Sequence, residues 1–140
     1  MLIGTYQHNI DLKGRVIIPA KFREELGGVF YATKGLDTAN VTIYSEKDWE
    51  ELGRKIASFP ASKTAVLQRV LFSPAAMLEP DKQGRVLLPQ NLREYAGLDK
   101  DVVVNGVGSK VEIWDKDKWD EYERELPANE AFEILGELGI

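Results

Sequence analysis

Residues 11–19 read D-L-K-G-R-V-I-I-P, and residues 81–89 read D-K-Q-G-R-V-L-L-P. Extended to Glu24 and Glu94, the two stretches share Asp, Gly, Arg, Val, Pro, Arg and Glu. That is seven identities in fourteen positions, with three apolar exchanges besides (Ile17/Leu87, Ile18/Leu88, Phe22/Leu92). The offset of 70 recurs downstream: V-T-I-Y at 41–44 matches V-E-I-W at 111–114, and Trp49 matches Trp119. A fixed offset held over this distance marks a duplicated structural unit. Asp, Gly and Arg repeated at one place in each unit point to two equivalent sites, or to two halves of one site.

Around this phrase each unit reads in the same order. In the first, Gly4–Ile10 mixes polar and apolar residues with Thr and Tyr, as a half-exposed strand does. Leu12-Lys13-Gly14 ends in Gly and suits a three-residue hairpin loop with the glycine left-handed, so that Arg15–Ile18 becomes the return strand. Pro19 is expected in the first turn of a helix, where its missing N–H costs nothing. That helix, Ala20–Leu26, stops at Gly27-Gly28. Val29–Thr33 and Val41–Tyr44 read as strands joined through Gly35 and Asp37. Ser45 is a suitable N-cap for a helix carrying Asp48, Trp49, Leu52 and Ile56. In the second unit the strands are Ala75–Leu78, Val86–Leu88, Val102–Asn105 and Val111–Trp114. A turn spans Asp81–Arg85, a short helix runs from Pro89 to Tyr95 with Gly97 as its stop, and Asp115 caps a helix with Trp119 and Tyr122. Trp49 and Trp119 are expected as equivalent core anchors.

The organisation expected is therefore a first repeat over 1–58, a helical linker over 59–74, a second repeat over 75–125 and a helical tail over 126–140. The linker is bracketed by Pro60 and Pro74. The tail follows Pro127 and carries Phe132, Ile134, Leu135 and Leu138 on one amphipathic segment. Four short strands cannot enclose a core alone. Two units that interleave can close a small barrel and remove exposed edges. The fold class expected is α+β, mainly β, with peripheral helices.

The chain of 140 residues is 44% hydrophobic and 29% charged, ordinary values for a globular protein. No window holds the roughly 18 consecutive apolar residues of a membrane span. The N-terminal M-L-I-G-T-Y-Q lacks the basic and apolar regions of a signal peptide, so a cytoplasmic location is expected. There is no cysteine, which excludes disulfides, thiolate metal sites and Cys nucleophiles. The net charge of −5 at first argues against a nucleic-acid partner, but it is unevenly spread. Residues 1–35 carry five basic and three acidic groups, whereas residues 115–140 carry three basic and nine acidic ones. A local basic surface can hold a phosphate backbone although the total charge is negative.

The chemistry lies in the duplicated loop. A carboxylate at Asp11 or Asp81 beside the guanidinium of Arg15 or Arg85 can fix its rotamer and aim the remaining donors outward. Phosphate and guanine both accept bidentate arginine contacts. Lys13 and Lys82 add charge within the loops, and Lys21, Arg23 and Arg93 follow on the short helices. An Asp–Arg pair is also a common staple of a turn, and spacing alone leaves that reading open. The duplication and the basic neighbours favour a site.

Other candidates are weak. His8 is the only histidine, and without cysteine a zinc site lacks its three or four ligands. No nucleophile elbow, P-loop or dinucleotide fingerprint is present. The carboxylates of 115–137 read as a solvated helix face. No catalytic residue, metal or cofactor is expected, and the chain does not read as an enzyme.

These residues resemble the MraZ family of bacterial transcriptional regulators, within the AbrB-like swapped-hairpin barrel proteins. The resemblance runs through G-T-Y-Q-H-N-I-D-L-K-G-R-V-I-I-P-A-K-F-R, L-F-S-P-A-A, the second D-K-Q-G-R-V-L-L-P and V-E-I-W. Its hallmark is a paired D-x-x-x-R motif, matched by Asp11/Arg15 and Asp81/Arg85. The resemblance implies a double-psi-type swapped-hairpin barrel built from the two repeats. It also implies sequence-specific binding of double-stranded DNA at repeated G-rich promoter boxes. Repression of a cell-division and cell-wall gene cluster, a nucleoid-associated location and assembly into homo-oligomeric rings are implied with it. The residues expected on the DNA-binding surface are Asp11, Lys13, Arg15, Lys21, Arg23, Asp81, Lys82, Arg85 and Arg93. The competing readings are a protein-interaction module, as when an AbrB-like domain neutralises a toxin, and an uncharacterised enzyme, against which the missing nucleophile and metal ligands weigh.

Overall fold

A computed structural model describes all of residues 1–140, as eight strands and six helices. In chain order these are β1 (Leu2–Asn9), β2 (Arg15–Ile17), α1 (Ala20–Leu26), β3 (Phe30–Lys34), β4 (Val41–Ser45), α2 (Glu46–Ala57) and α3 (Ala61–Leu71). The second half supplies β5 (Ala76–Leu78), β6 (Arg85–Leu87), α4 (Gln90–Ala96), β7 (Asp101–Gly108), β8 (Val111–Asp115), α5 (Lys116–Arg124) and α6 (Ala128–Glu137). The fold is α+β. Six strands form one antiparallel sheet in the order β1-β7-β8-β4-β3-β5, and β2 and β6 form a separate two-stranded ribbon.

The pairing corrects the expected hairpin. The segments on either side of Leu12-Lys13-Gly14 do not form a ladder with each other. β1 pairs over its whole length with β7 of the other unit, from Leu2 opposite Gly108 to Asn9 opposite Asp101. β2 pairs with β6, Val16 facing Val86. Likewise β5 leaves its own unit to pair with β3. The physical reason lies in what each strand must bury. Val16 and Val86 are each 1% exposed, and only a partner of the same pattern covers both on one side of a ribbon.

Two pairings run between equivalent strands. Val16 faces Val86 in the ribbon, and Thr42 faces Glu112 where β4 meets β8. Both pairs are 70 positions apart, so the two units are related by a local two-fold through these points. Between them the offset drifts. Phe30 pairs with Ser45 as Val102 pairs with Asp115, which puts β3 and β7 72 positions apart.

Both units fill one core of 18 buried residues. Val16/Val86, Ile18/Leu88, Phe22/Leu92 and Leu26/Ala96 enter it as equivalent pairs. The duplicated phrase thus supplies both the turn and the core behind it. Pro19 and Pro89 sit one residue ahead of the place expected for them. Each occupies the N-cap with extended ψ, 140° and 147°, so its carbonyl rather than its ring opens the helix.

Trp49 and Trp119 are not core residues. Both are half-buried outside the central cluster. Trp49 stacks on Tyr31 at 5.6 Å between ring centres and meets Phe72 edge-on at 5.3 Å. Trp119 meets Trp114 edge-on at 5.2 Å. A broad ring with one polar atom suits this position, clamping α2 and α5 to the outer face of the sheet. Ser45 and Asp115 cap those helices as expected, through the amides of Asp48 and Lys118. α3 is tied down by the hydroxyl of Thr33, which donates to the carbonyl of Leu71. Phe132, Ile134 and Leu135 of α6 and its C-cap residue Leu138 are all exposed.

The register yields a paired test. Leu88 is fully buried, whereas its neighbour Leu87 is 58% exposed. Leu88→Ala is expected to cost about 2–5 kcal/mol in urea unfolding. Leu87→Ala should stay within about 0.5 kcal/mol, as surface changes do. Equal effects would contradict the register of β6.

Candidate nucleic-acid interface

Both D-x-x-x-R loops fold the same way. The carboxylate of Asp11 closes the first. Its Oδ1 accepts from the amides of Lys13 and Arg15, both at 2.9 Å, and its Oδ2 accepts from Nε of Arg15 at 2.7 Å. The Asp11 amide donates to the carbonyl of Arg15 at 3.0 Å, and Gly14 donates back to the carbonyl of Asp11 at 3.0 Å. Asp81 repeats the pattern with the amides of Gln83 and Arg85 at 2.9 Å and Nε of Arg85 at 2.8 Å. An Asp side chain that binds amides two and four residues on is a side-chain replica of a backbone turn. It explains why Asp must precede Gly-Arg by this spacing.

The turn residue is Gly because of its backbone conformation. Gly14 and Gly84 have φ of 86° and 81°, where a side chain is strained. A Cβ on Gly14 would also lie 2.8 Å from Cζ of Arg93, and one on Gly84 2.7 Å from Cζ of Arg23.

The arginines bind their carboxylates through Nε. Their two terminal amino groups make no hydrogen bond to the protein and remain available. The side chains are about one-third exposed, 31% for Arg15 and 29% for Arg85. The ribbon then sets them beside each other. In β2, Val16 points into the core, so Arg15 and Ile17 share the outer face. In β6, Arg85 and Leu87 do the same. The register places Arg15 opposite Leu87 and Ile17 opposite Arg85. One two-stranded face therefore carries both arginines, diagonally placed, with an apolar partner across from each.

The remaining predicted residues divide into groups. Lys13 and Lys82 lie exposed in the loops, and neither forms an ion pair. Lys21 is exposed on α1, with no hydrogen bond or ion pair tying it to either loop. Arg23 and Arg93 are not neighbours of the loops of their own units, as sequence order suggests. Each reaches the glycine of the opposite loop. Two kinds of residue escaped the sequence reading. Leu12 is fully exposed in loop 1, and Ile17 and Leu87 are exposed on the ribbon face at 40% and 58%. The period-two alternation about Val16 and Val86 was the available signal for the ribbon pair. Nothing in the sequence marks Leu12. His8 lies half-buried on β1 opposite Val102, and no group of His, Asp and Glu is arranged to hold a metal ion.

The carboxyls of Asp11 and Asp81 are held below the usual value of 3.8. The amide of the arginine four residues on is the largest cause. Desolvation comes next and opposes it, and the arginine side chain and the amide two residues on lower the value further. A lowered carboxyl pKa means that the turn is stabilised above the unfolded value and released as pH falls through the folded one. Amide shifts of Lys13, Arg15, Gln83 and Arg85 should stay constant from pH 8 to pH 5 and move only below 3.8. Movement near neutral pH would contradict the assigned bonds.

The family model described as "MraZ protein, putative antitoxin-like" matches residues 1–69 and again 71–135, once per unit. Among curated proteins, "Transcriptional regulator MraZ" of Acetivibrio thermocellus is 50% identical over 144 aligned residues, covering all of both chains. The protein of the same name from Syntrophomonas wolfei is 48% identical with the same coverage. That of Desulforamulus reducens is 50% identical over 139 residues, covering 98% of this chain and 96% of its own. With both repeats matched and half of all positions identical over full length, the chain belongs to the MraZ family.

Proposed function

We propose that this chain is a transcriptional regulator that binds double-stranded DNA in a sequence-specific manner through the β2–β6 ribbon and its two loops. One observation carries the reading: the ribbon presents Arg15 and Arg85 on a single outer face, each with free amino groups and a carboxylate fixing its direction. The major groove of B-DNA admits a two-stranded ribbon, and arginine is the common reader of guanine O6 and N7. Ile17 and Leu87 on the same face suit contact with thymine methyl groups. Lys13, Lys82 and Lys21 supply phosphate contacts, which fix register without reading sequence. Asp11 and Asp81 orient the arginines. The names of the relatives support regulation of transcription.

The finer reading follows the family resemblance. The chain acts as a repressor of a cell-division and cell-wall gene cluster, on repeated promoter boxes, in the cytoplasm and at the nucleoid. Its crossed strand pairing is taken as the AbrB-like swapped-hairpin barrel. The exposed apolar residues Phe132, Ile134 and Leu135 of α6, with Leu138 at its C-cap, support assembly of several subunits into a closed ring through head-to-tail contacts. No helix is long and apolar enough to cross a membrane.

Arg15→Ala tests the reading. It should weaken binding to a duplex from upstream of the chain's own gene by about 1–3 kcal/mol per contact. It should also reduce the preference for that duplex over unrelated DNA, the mark of a lost base contact, while the dependence of affinity on salt changes little. The melting temperature should move little, since the pair is partly open to solvent and Asp11 keeps its bonds to the amides of residues 13 and 15. A variant that melts early yet binds DNA normally once folded would reduce the loop to a turn staple. Light scattering on the wild-type preparation should report a ring, and a monomer at micromolar concentration would contradict that part.

A further inference from the structure

Arg23 and Arg93 stand in a relation to the loops that the proposed DNA contacts do not require. Nε of Arg23 donates to the carbonyl of Ile18, and Nε of Arg93 to the carbonyl of Leu88, each at 2.9 Å. Those carbonyls lie just past the ends of the two ribbon strands. The amides of the same two residues reach across the two-fold. Ile18 donates to the carbonyl of Gly84 and Leu88 to the carbonyl of Gly14, each at 3.0 Å. The guanidinium of Arg23 then covers the bare Cα of Gly84, and that of Arg93 covers Gly14. Each loop glycine is thus held twice from the opposite unit, by an amide at its carbonyl and by a guanidinium plane on its Cα. Neither Arg23 nor Arg93 has a carboxylate partner. Both are only partly exposed.

We propose that Arg93 and Arg23 are positioning residues that act crosswise: Arg93 of the second unit sets the geometry of the Asp11–Arg15 loop, and Arg23 of the first unit sets that of the Asp81–Arg85 loop. The inference rests on the DNA-contact reading of Arg15 and Arg85. It differs from a simple basic patch, in which all four arginines would contribute separately. A planar guanidinium lying flat on a glycine turn restricts that turn because any outward tilt breaks the stack. The Nε bond to the adjoining carbonyl keeps the plane from rotating. The site then behaves as one body, since loosening either helix arginine disturbs the loop of the other unit.

Double-mutant cycles on the full-length chain separate the two views, read as affinity for the labelled upstream duplex. Arg93→Ala should weaken binding on the order of tenfold alone, yet change it less than about twofold when Arg15→Ala is already present. Combined with Arg85→Ala, its effect should multiply in full. Arg23→Ala should show the mirror pattern, redundant with Arg85→Ala and independent of Arg15→Ala. Hydrogen exchange on the free protein gives a second readout. Arg93→Ala should speed exchange at the amides of Gly14 and Arg15 and leave Gly84 and Arg85 unchanged. Should an alanine variant fail to fold, Arg93→Lys and Arg23→Lys keep the charge, lack the plane, and should give the same crossed patterns. Coupling within a unit would overturn the proposal, as would full additivity with a salt slope lowered by about one per arginine, the mark of direct phosphate contact. Wild-type affinity in Arg15→Ala and Arg85→Ala would sink the DNA-contact reading instead, and the exchange pattern would still decide whether the crossed restraint exists.

Discussion

The antiparallel contact between Val16 and Val86 is the constraint on which the rest depends. A three-residue strand with one buried side chain cannot hold its place alone. Two copies of it, related by a local two-fold, cover each other and seal one side of the shared core. This pairing commits the neighbouring segments. Once β2 is bound to β6, β1 and β5 are free to leave their own units, and they pair with β7 and β3 of the opposite units. The core that results draws Ile18/Leu88, Phe22/Leu92 and Leu26/Ala96 from both units in equal measure. Neither unit retains a core of its own.

The same contact generates the candidate site. Because Val16 and Val86 point inward, period-two geometry turns Arg15, Ile17, Arg85 and Leu87 outward together. The loops then settle the direction of the arginines. An aspartate occupied by two amides and one Nε is a fixed anchor, and its lowered pKa reflects those bonds chiefly through the arginine amide. A fixed anchor restrains the arginine side chain while its terminal amino groups keep no protein partner, which would lower the ordering cost of binding a ligand. Net negative charge does not oppose this, since the acidic excess lies in residues 115–140 and not in the loops.

Much of this was legible in the sequence. The repeat gave away the duplicated loops, and Ser45, Asp115, Gly27 and Gly97 marked helix ends that the structure keeps. What could not be read was partner choice. The segments flanking Leu12-Lys13-Gly14 satisfy every local rule for a hairpin, yet only the burial of Val16 and Val86 decides between pairing within a unit and pairing between units. The same blindness hid where Arg23 and Arg93 lie. Sequence order sets Arg23 eight residues beyond Arg15, whereas the two-fold sets it against Gly84. The tryptophans misled for a different reason. Their repetition is real, but equivalence in sequence does not say which side of a helix meets the sheet.

Under the proposed function, one ribbon face, built by two units, meets DNA as a single surface. The most direct measurement is a structure of the chain bound to a duplex from upstream of its own gene. Terminal amino groups of both Arg15 and Arg85 are expected at about 2.7–2.9 Å from guanine or phosphate acceptors, with the Asp11 and Asp81 bonds to Nε intact. A complex in which the β2–β6 face points to solvent while another surface grips the duplex would contradict it.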